Sequence, residues 1–251
     1  MARRAGLARG VCAALAGIAG LALAGCSSLP QSPEPLPSSF IPDIQASSAA
    51  QTPDDIVAGF TALEREALRV RVRTCDAYGT GSAFAIDDTH AVTNRHVAEG
   101  ATDMTLTGYD GTRYTVKSSV LSPDSDLALL TIDGTLPNIS NLADVEPSTG
   151  DTLTIAGYPL GEALAVREGP YVASVPDELD DAPDLVYQFD AESHPGNSGS
   201  PVANEAGEVV GVLYASDDVH TSFAVSLPTL ERFLDNLDDA ERNRATCESQ
   251  G

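Results

Sequence analysis

Apolar and polar positions alternate along much of this chain with the two-residue period of β-strands. Arg69-Val-Arg-Val-Arg73 sets valines on one face and arginines on the other, as a half-buried strand requires. Other short apolar runs follow turn-forming clusters. Ser82 to Ile86 comes after Gly79-Thr-Gly81, and Glu208 to Tyr214 comes after Asn204 to Gly207. Asp110-Gly111 separates Met104-Thr-Leu-Thr107 from Arg113 to Val116. Short strands at close spacing, punctuated in this way, predict a β-barrel or β-sandwich. The period changes in two places. Behind Asp54-Asp55, which can cap a helix, Ile56, Val57, Phe60, Leu63 and Ala67 form one apolar face, so a short N-terminal helix is expected. Pro228 sits where a helix starts, and Leu227, Leu230, Phe233, Leu234 and Leu237 recur at spacings of three and four, which predicts a C-terminal helix.

The first residues follow neither pattern. Arg3, Arg4 and Arg9 precede an apolar run from Val11 to Ala24, which is the build of a secretory signal and too short for a membrane span. The run closes on Leu23-Ala24-Gly25-Cys26. This resembles the lipobox of bacterial lipoproteins and implies cleavage before Cys26, acylation of its thiol and anchoring on the extracytoplasmic face of the membrane. The alternative is an ordinary signal peptide cut elsewhere, with Cys26 incidental and the protein secreted. From Ser27 to Pro53 the chain is rich in Ser, Pro, Ala and Gln, a composition that cannot build a core and reads as a tether. The organisation is therefore a signal over 1–25, a tether over 26–53 and one domain over 54–251; about 200 residues suit one all-β domain better than two ordinary ones.

Charge narrows the partners. The chain carries 14 Lys and Arg against 37 Asp and Glu, a net charge of −23, so it repels phosphate backbones and anionic headgroups. Nucleic acid is excluded as a partner, and membrane contact falls to the lipid. Of the four cysteines, Cys12 leaves with the signal and Cys26 takes lipid. Cys75 and Cys247 remain, and in an exported domain such a pair suggests one disulfide; two free buried thiols are the alternative.

Three strings carry candidate chemistry in chain order: Ala91-Val-Thr-Asn-Arg-His96-Val-Ala98, Asp124-Ser-Asp126-Leu-Ala-Leu-Leu130 and His194-Pro-Gly-Asn-Ser198-Gly-Ser-Pro-Val202. A serine hydroxyl needs a base that accepts its proton during attack and returns it to the leaving group, and imidazole suits both steps. A carboxylate then orients the imidazole and stabilises its cation. At these residues, with Gly79-Thr-Gly-Ser-Ala-Phe84 and Gly157-Tyr-Pro159, the chain resembles trypsin-like serine peptidases, particularly the bacterial HtrA-type branch. The resemblance covers most of residues 68–237. It implies two six-stranded antiparallel β-barrels of chymotrypsin type and an endopeptidase that forms an acyl-enzyme on Ser198. His96 would be general base and acid and Asp126 its orienting partner, with Asp124 the competing carboxylate. Polypeptide is the implied substrate, and no cofactor or metal is called for. The length left after the C-terminal helix is too short for the PDZ domain of many HtrA enzymes, so a branch without one is expected.

By position the resemblance also gives Gly196 and Ser198 N–H as the oxyanion hole. It sets Glu192, Ser193, His194, Leu213, Tyr214 and Ala215 around the substrate side chain. Glu192 falls six positions before Ser198, where a carboxylate in trypsin-like enzymes selects Arg or Lys; the competing reading turns it to solvent. His194 either lines the cleft or faces water. His90 and His220 lie in polar, turn-like stretches and are expected to be solvated. The α/β-hydrolase arrangement requires Gly-x-Ser-x-Gly and the order Ser, Asp, His. Here Ser200 replaces the second glycine and the order is His, Asp, Ser. A catalytically silent binding lipoprotein on the same scaffold, or an esterase, remains as an alternative function.

Overall fold

The computed structural model describes residues 59–177, 184–217, 220–243 and 247. The signal, Cys26 and the tether lie outside them. The elements run α1 (Ala62–Glu66), β1 (Ala67–Arg73), β2 (Tyr78–Ala85), β3 (His90–Thr93), α2 (Arg95–Ala98), β4 (Asp103–Thr107), β5 (Arg113–Leu121), β6 (Ala128–Asp133), β7 (Thr152–Gly157), β8 (Ala165–Pro176), β9 (Leu185–Phe189), β10 (Pro201–Ala203), β11 (Val209–Ser216), β12 (Ser222–Ser226), α3 (Leu227–Asp235) and β13 (Glu241–Arg242).

All the ladders between these strands are antiparallel. The first six strands close in the order β1-β2-β3-β6-β5-β4, and β13 adds to β5. The next six close in the order β7-β8-β9-β12-β11-β10. One connectivity thus occurs twice, which is the expected pair of six-stranded barrels. Closure pairs every barrel strand on both sides and removes the exposed edges that would otherwise recruit other chains.

The alternation read from the sequence explains what fills each barrel. Val70 and Val72 of β1 point inward with Leu106, Leu130 and Ile132, while Arg71 and Arg73 stay at the surface. The second barrel is filled by Leu153, Ile155, Tyr187, Phe189, Val202 and Leu213. Between the barrels, Phe84, Leu127 and Leu129 share a third cluster with Val186, Val212, Val225 and Phe233 of α3. Val92, Leu127 and Leu129 bring the first two candidate strings to this seam, and its packing fixes one barrel against the other.

Several local expectations are corrected. The N-terminal helix is α1, and its cap is Thr61: the Thr61 hydroxyl accepts the Glu64 N–H at 3.3 Å and the Glu64 carboxylate accepts the Thr61 N–H at 2.8 Å, a reciprocal capping box. Residues 54–58, where the Asp cap was expected, lie outside the described residues. Gly79-Thr-Gly81 is not a turn but part of β2. Gly81 serves close approach there, since a Cβ would come within 2.8 Å of Val97. Leu237 falls past α3 in a short 3₁₀ turn and is partly exposed. His90 is not free in a loop; it opens β3 with Nδ1 2.9 Å from Asp87. Cys75 and Cys247 come within bonding distance, with Cα atoms 5.4 Å apart.

Candidate active site

His96 lies on α2, a single turn entered from β3. Val97 and Ala98 bury the other side of that turn, which leaves the imidazole facing the seam and half exposed. Asn94 precedes the helix but makes no side-chain cap. Its amide donates instead to the Asp126 carbonyl at 2.9 Å. Asp126 sits in the turn between β5 and β6, held by a Ser125-to-Ser122 hydroxyl bond of 2.8 Å and by Leu127 N–H to Ser125 O at 2.8 Å. Its buried carboxylate meets His96 twice. Oδ2 lies 2.6 Å from Nδ1, and Oδ1 accepts the His96 N–H at 2.8 Å. Two contacts on one residue fix both the ring and its backbone, and they leave Nε2 as the nitrogen available for proton transfer. Asp124 is exposed and makes no contact with His96.

Ser198 is held by backbone. Its carbonyl accepts the Ser82 N–H at 2.7 Å. The carbonyls before it are all turned away: Pro195 O accepts Leu160 N–H at 2.6 Å, Gly196 O accepts the Ser82 hydroxyl at 2.9 Å and Asn197 O accepts Ser200 N–H at 2.9 Å. Asn197 N–H is spent on His194 O and Gly199 N–H on Leu213 O. Among the described residues, the N–H groups of Gly196 and Ser198 make no such bond. Two adjacent unspent donors beside a serine are what a developing oxyanion requires. The conformation needs glycine at both flanks, with φ +97° at Gly196 and +87° at Gly199. A Cβ at Gly199 would come 2.0 Å from Ser82 O. No hydrogen bond joins Ser198 Oγ to His96 among the described residues; such bonds are often loose until substrate is bound.

A cavity of about 260 Å³ opens beside Ser198, between residues 193–195 with Asn197 and the strand residues 213–216. Behind it, Ser193 Oγ and Ser222 Oγ lie 2.8 Å apart and Ser222 Oγ donates to Ala191 O at 2.7 Å. Tyr214 in its wall is buried and donates its hydroxyl to Asp177 at 2.7 Å. Ser193, His194, Leu213, Tyr214 and Ala215 therefore reach the cavity, and Ser216 joins them. Glu192 does not. Ala191 and Ser193 on either side of it are buried while Glu192 points out, where its carboxylate lies 3.2 Å from His194 Nε2 with about half of its side chain exposed. Among the described residues, no carboxylate of the kind that selects Arg or Lys lines the cavity.

The family model of the trypsin-like peptidase domain matches residues 79–212, more than half of the chain and all three strings. The chain belongs to the trypsin-like peptidase family. The trypsin-like chain is 32% identical over 166 residues to a probable periplasmic serine endoprotease DegP-like of Chlamydia trachomatis, across 62% of this chain and 33% of that protein. It is 33% identical over 184 residues to a protein of the same description from Pseudomonas fluorescens, across 68% of this chain and 38% of that one. The chain thus spans about a third of the length of the curated relatives it matches. The fold is shared with the active form of an M. tuberculosis protease, at a TM-score of 0.63 and 22% identity over 76% of this chain and 85% of that one. It is shared also with the HtrA-type protease AlgW with tripeptide, at 0.64 and 24% over 71% and 62%.

Within this trypsin-like domain, the residue that sequence reasoning missed is Ser82. It is fully buried and makes four contacts: N–H to Ser198 O, hydroxyl to Gly196 O, hydroxyl from Tyr158 N–H at 3.0 Å, and carbonyl from the Thr93 hydroxyl at 2.7 Å. One serine of the first barrel therefore holds the Ser198 loop, the strand leading to His96 and the 158–161 segment together. Its only signal was its place in Gly-Thr-Gly-Ser. Tyr158 is tied in from the other side: burial pushes its hydroxyl up to about 12, against the nearby Arg69 guanidinium, which stands 5.8 Å from its ring.

Proposed function

We propose that this chain is an extracytoplasmic serine endopeptidase. The observation that carries the reading is the buried Asp126 carboxylate bonded to His96 Nδ1, across the seam from a serine flanked by two unspent backbone donors. In the proposed cycle Ser198 Oγ attacks the substrate carbonyl while His96 Nε2 takes its proton. Asp126 holds the imidazole in the tautomer that leaves Nε2 free and stabilises the cation that forms. The N–H groups of Gly196 and Ser198 receive the oxyanion, each contributing about 3 kcal/mol to the transition state. The imidazolium then protonates the leaving amine, and water, activated by the same imidazole, hydrolyses the acyl-enzyme.

Among the described residues the cavity is lined by hydroxyls, a leucine and a tyrosine and by no carboxylate, which favours an uncharged side chain before the scissile bond. An exported location agrees with the signal-like residues 1–25 and with the periplasmic naming of relatives. Lipid anchoring through Cys26 and a Cys75–Cys247 disulfide formed after export complete the proposal. The lack of a bond from Ser198 Oγ to His96 favours one competing reading, a silent protein that binds peptide without cleaving it. A fluorophosphonate probe separates them. Labelling of the wild-type protein, lost in Ser198→Ala, is expected; a folded wild type that takes no label would overturn the peptidase reading.

A further inference from the structure

Leu160 combines features that packing does not account for. Its φ is +56°, and it is the sole residue other than glycine with positive φ among the described residues, in a region that side chains with a Cβ avoid. Its side chain is 62% exposed, so no buried contact offsets that conformation. The backbone has a clear task. Leu160 N–H holds Pro195 O at 2.6 Å, and that carbonyl belongs to the same planar peptide as the Gly196 N–H. Holding the carbonyl toward Leu160 points the amide the opposite way, toward the reacting centre. The segment is braced from behind, by Arg69 Nη1 on the carbonyls of Gly161 and Glu162 at 3.4 and 3.3 Å and by Tyr158 N–H on the Ser82 hydroxyl. A glycine would meet this backbone requirement without strain. The backbone therefore explains the loop and leaves the leucine side chain unexplained.

The position of that side chain supplies a use. Leu160 is not among the residues that line the cavity. Its segment abuts β2 instead, where Gly81 lies against Ser198 O and Thr80 packs against Gly161, the neighbour of Leu160. A substrate with the side chain before its scissile bond in the cavity carries its leaving-group residues away from the cavity, and Leu160 stands exposed beside Ser198 outside it. We propose that Leu160 is a specificity-determining residue that presents an apolar surface to the leaving-group side of the peptide and favours an apolar residue there. The proposal rests on the peptidase reading.

Leu160→Gly removes the side chain, keeps the N–H and suits the left-handed backbone, so folding is not at risk. Three substrates share one sequence before the scissile bond: an octapeptide with Leu second after it, the same octapeptide with Ser there, and a chromogenic anilide with no residues after it. For Leu160→Gly, kcat/KM on the Leu octapeptide is expected to fall about tenfold, chiefly through KM, as loss of apolar contact predicts. The Ser octapeptide and the anilide share any loss that comes through the N–H on Pro195 O, so the readout is the Leu-to-Ser ratio of kcat/KM, which is expected to fall about tenfold. Equal losses on all three, or no loss on the first, would overturn the proposal. A second arm measures Kd for the two octapeptides by fluorescence anisotropy in Ser198→Ala, with and without Leu160→Gly. It reads out even if the wild type cleaves nothing: a tenfold weakening confined to the Leu octapeptide supports the contact while the peptidase reading fails, and equal affinities reject the contact alone.

Discussion

The two barrels repeat one strand order but hold their shares of the site by different means. The first aligns its groups through side chains: His96 and Asp126 are joined by contacts of 2.6 and 2.8 Å, and Asn94, Ser122 and Ser125 brace them with amide and hydroxyl bonds. The second aligns its groups through the main chain. Ser198, Gly196 and Gly199 take their places because carbonyls are bonded elsewhere and two glycines adopt φ that other residues avoid. A side-chain alignment depends on the chemistry of each group. A main-chain alignment depends on shape, and tolerates chemical change until a Cβ intrudes.

The sharpest way to break this contrast is Asp126→Asn. The amide can still accept the His96 N–H, but its NH₂ faces Nδ1 and donates, which forces the tautomer with the proton on Nε2. The ring then cannot take the Ser198 proton. A fall in kcat of about 10⁴ is expected, with a thermal midpoint close to wild type; a loss under tenfold would mean that this side-chain contact does not set catalysis.

Ser82→Ala comes next, because Ser82 is where the first barrel reaches the main-chain half. The change keeps the Ser82 N–H on Ser198 O but orphans Gly196 O and Tyr158 N–H, both in a buried setting. A destabilisation of about 1 to 3 kcal/mol is expected, with kcat down about tenfold as the Gly196 peptide loses one of its anchors. Glycine at position 82 should not rescue kcat. An unchanged kcat in a destabilised protein would show that Leu160 N–H on Pro195 O suffices to aim the Gly196 N–H without the Ser82 hydroxyl on the next peptide.

The same contrast explains what could be read from sequence. His96, Asp126 and Ser198 each lie in a short local string, and the strands announce themselves by alternation. Their closure into barrels does not: β1 with β4 and β7 with β10 pair across long stretches of chain, and the twofold strand order came from family resemblance. Glu192 shows the limit of counting positions, since an offset of six locates a residue along the chain and says nothing of the face. The burial of Ala191 and Ser193 on either side of it, visible only in the structure, decides the face. Ser82 and Leu160 were illegible for one reason. Their roles exist only where residues near 82, 158 and 196 converge, and no local pattern records that approach.

The smallest expected effect isolates scaffold from site. Glu66, at the end of α1, is half-buried and accepts the Ser140 hydroxyl at 2.9 Å, tying the N-terminal helix to the connection between the barrels. Burial raises its carboxyl above the ordinary value of 4.5, against smaller lowering influences from Ser140 and Arg65. The folded protein therefore binds the proton more tightly than the unfolded chain. By linkage, the stability this group contributes is fully present below pH 4.5 and is lost as pH rises through the folded value, so the ionised form weakens the fold at neutral pH. Glu66→Gln removes the charge and keeps an oxygen for the Ser140 hydroxyl. The thermal midpoint at pH 7 should rise by on the order of 2 °C, and the gain should fade as pH falls below 4.5, with kcat unchanged throughout. A midpoint gain that persists at pH 3 would assign the effect to packing instead. A change in kcat would mean that the seam between the barrels transmits strain from this end to the triad, and that the two modes of alignment are not independent.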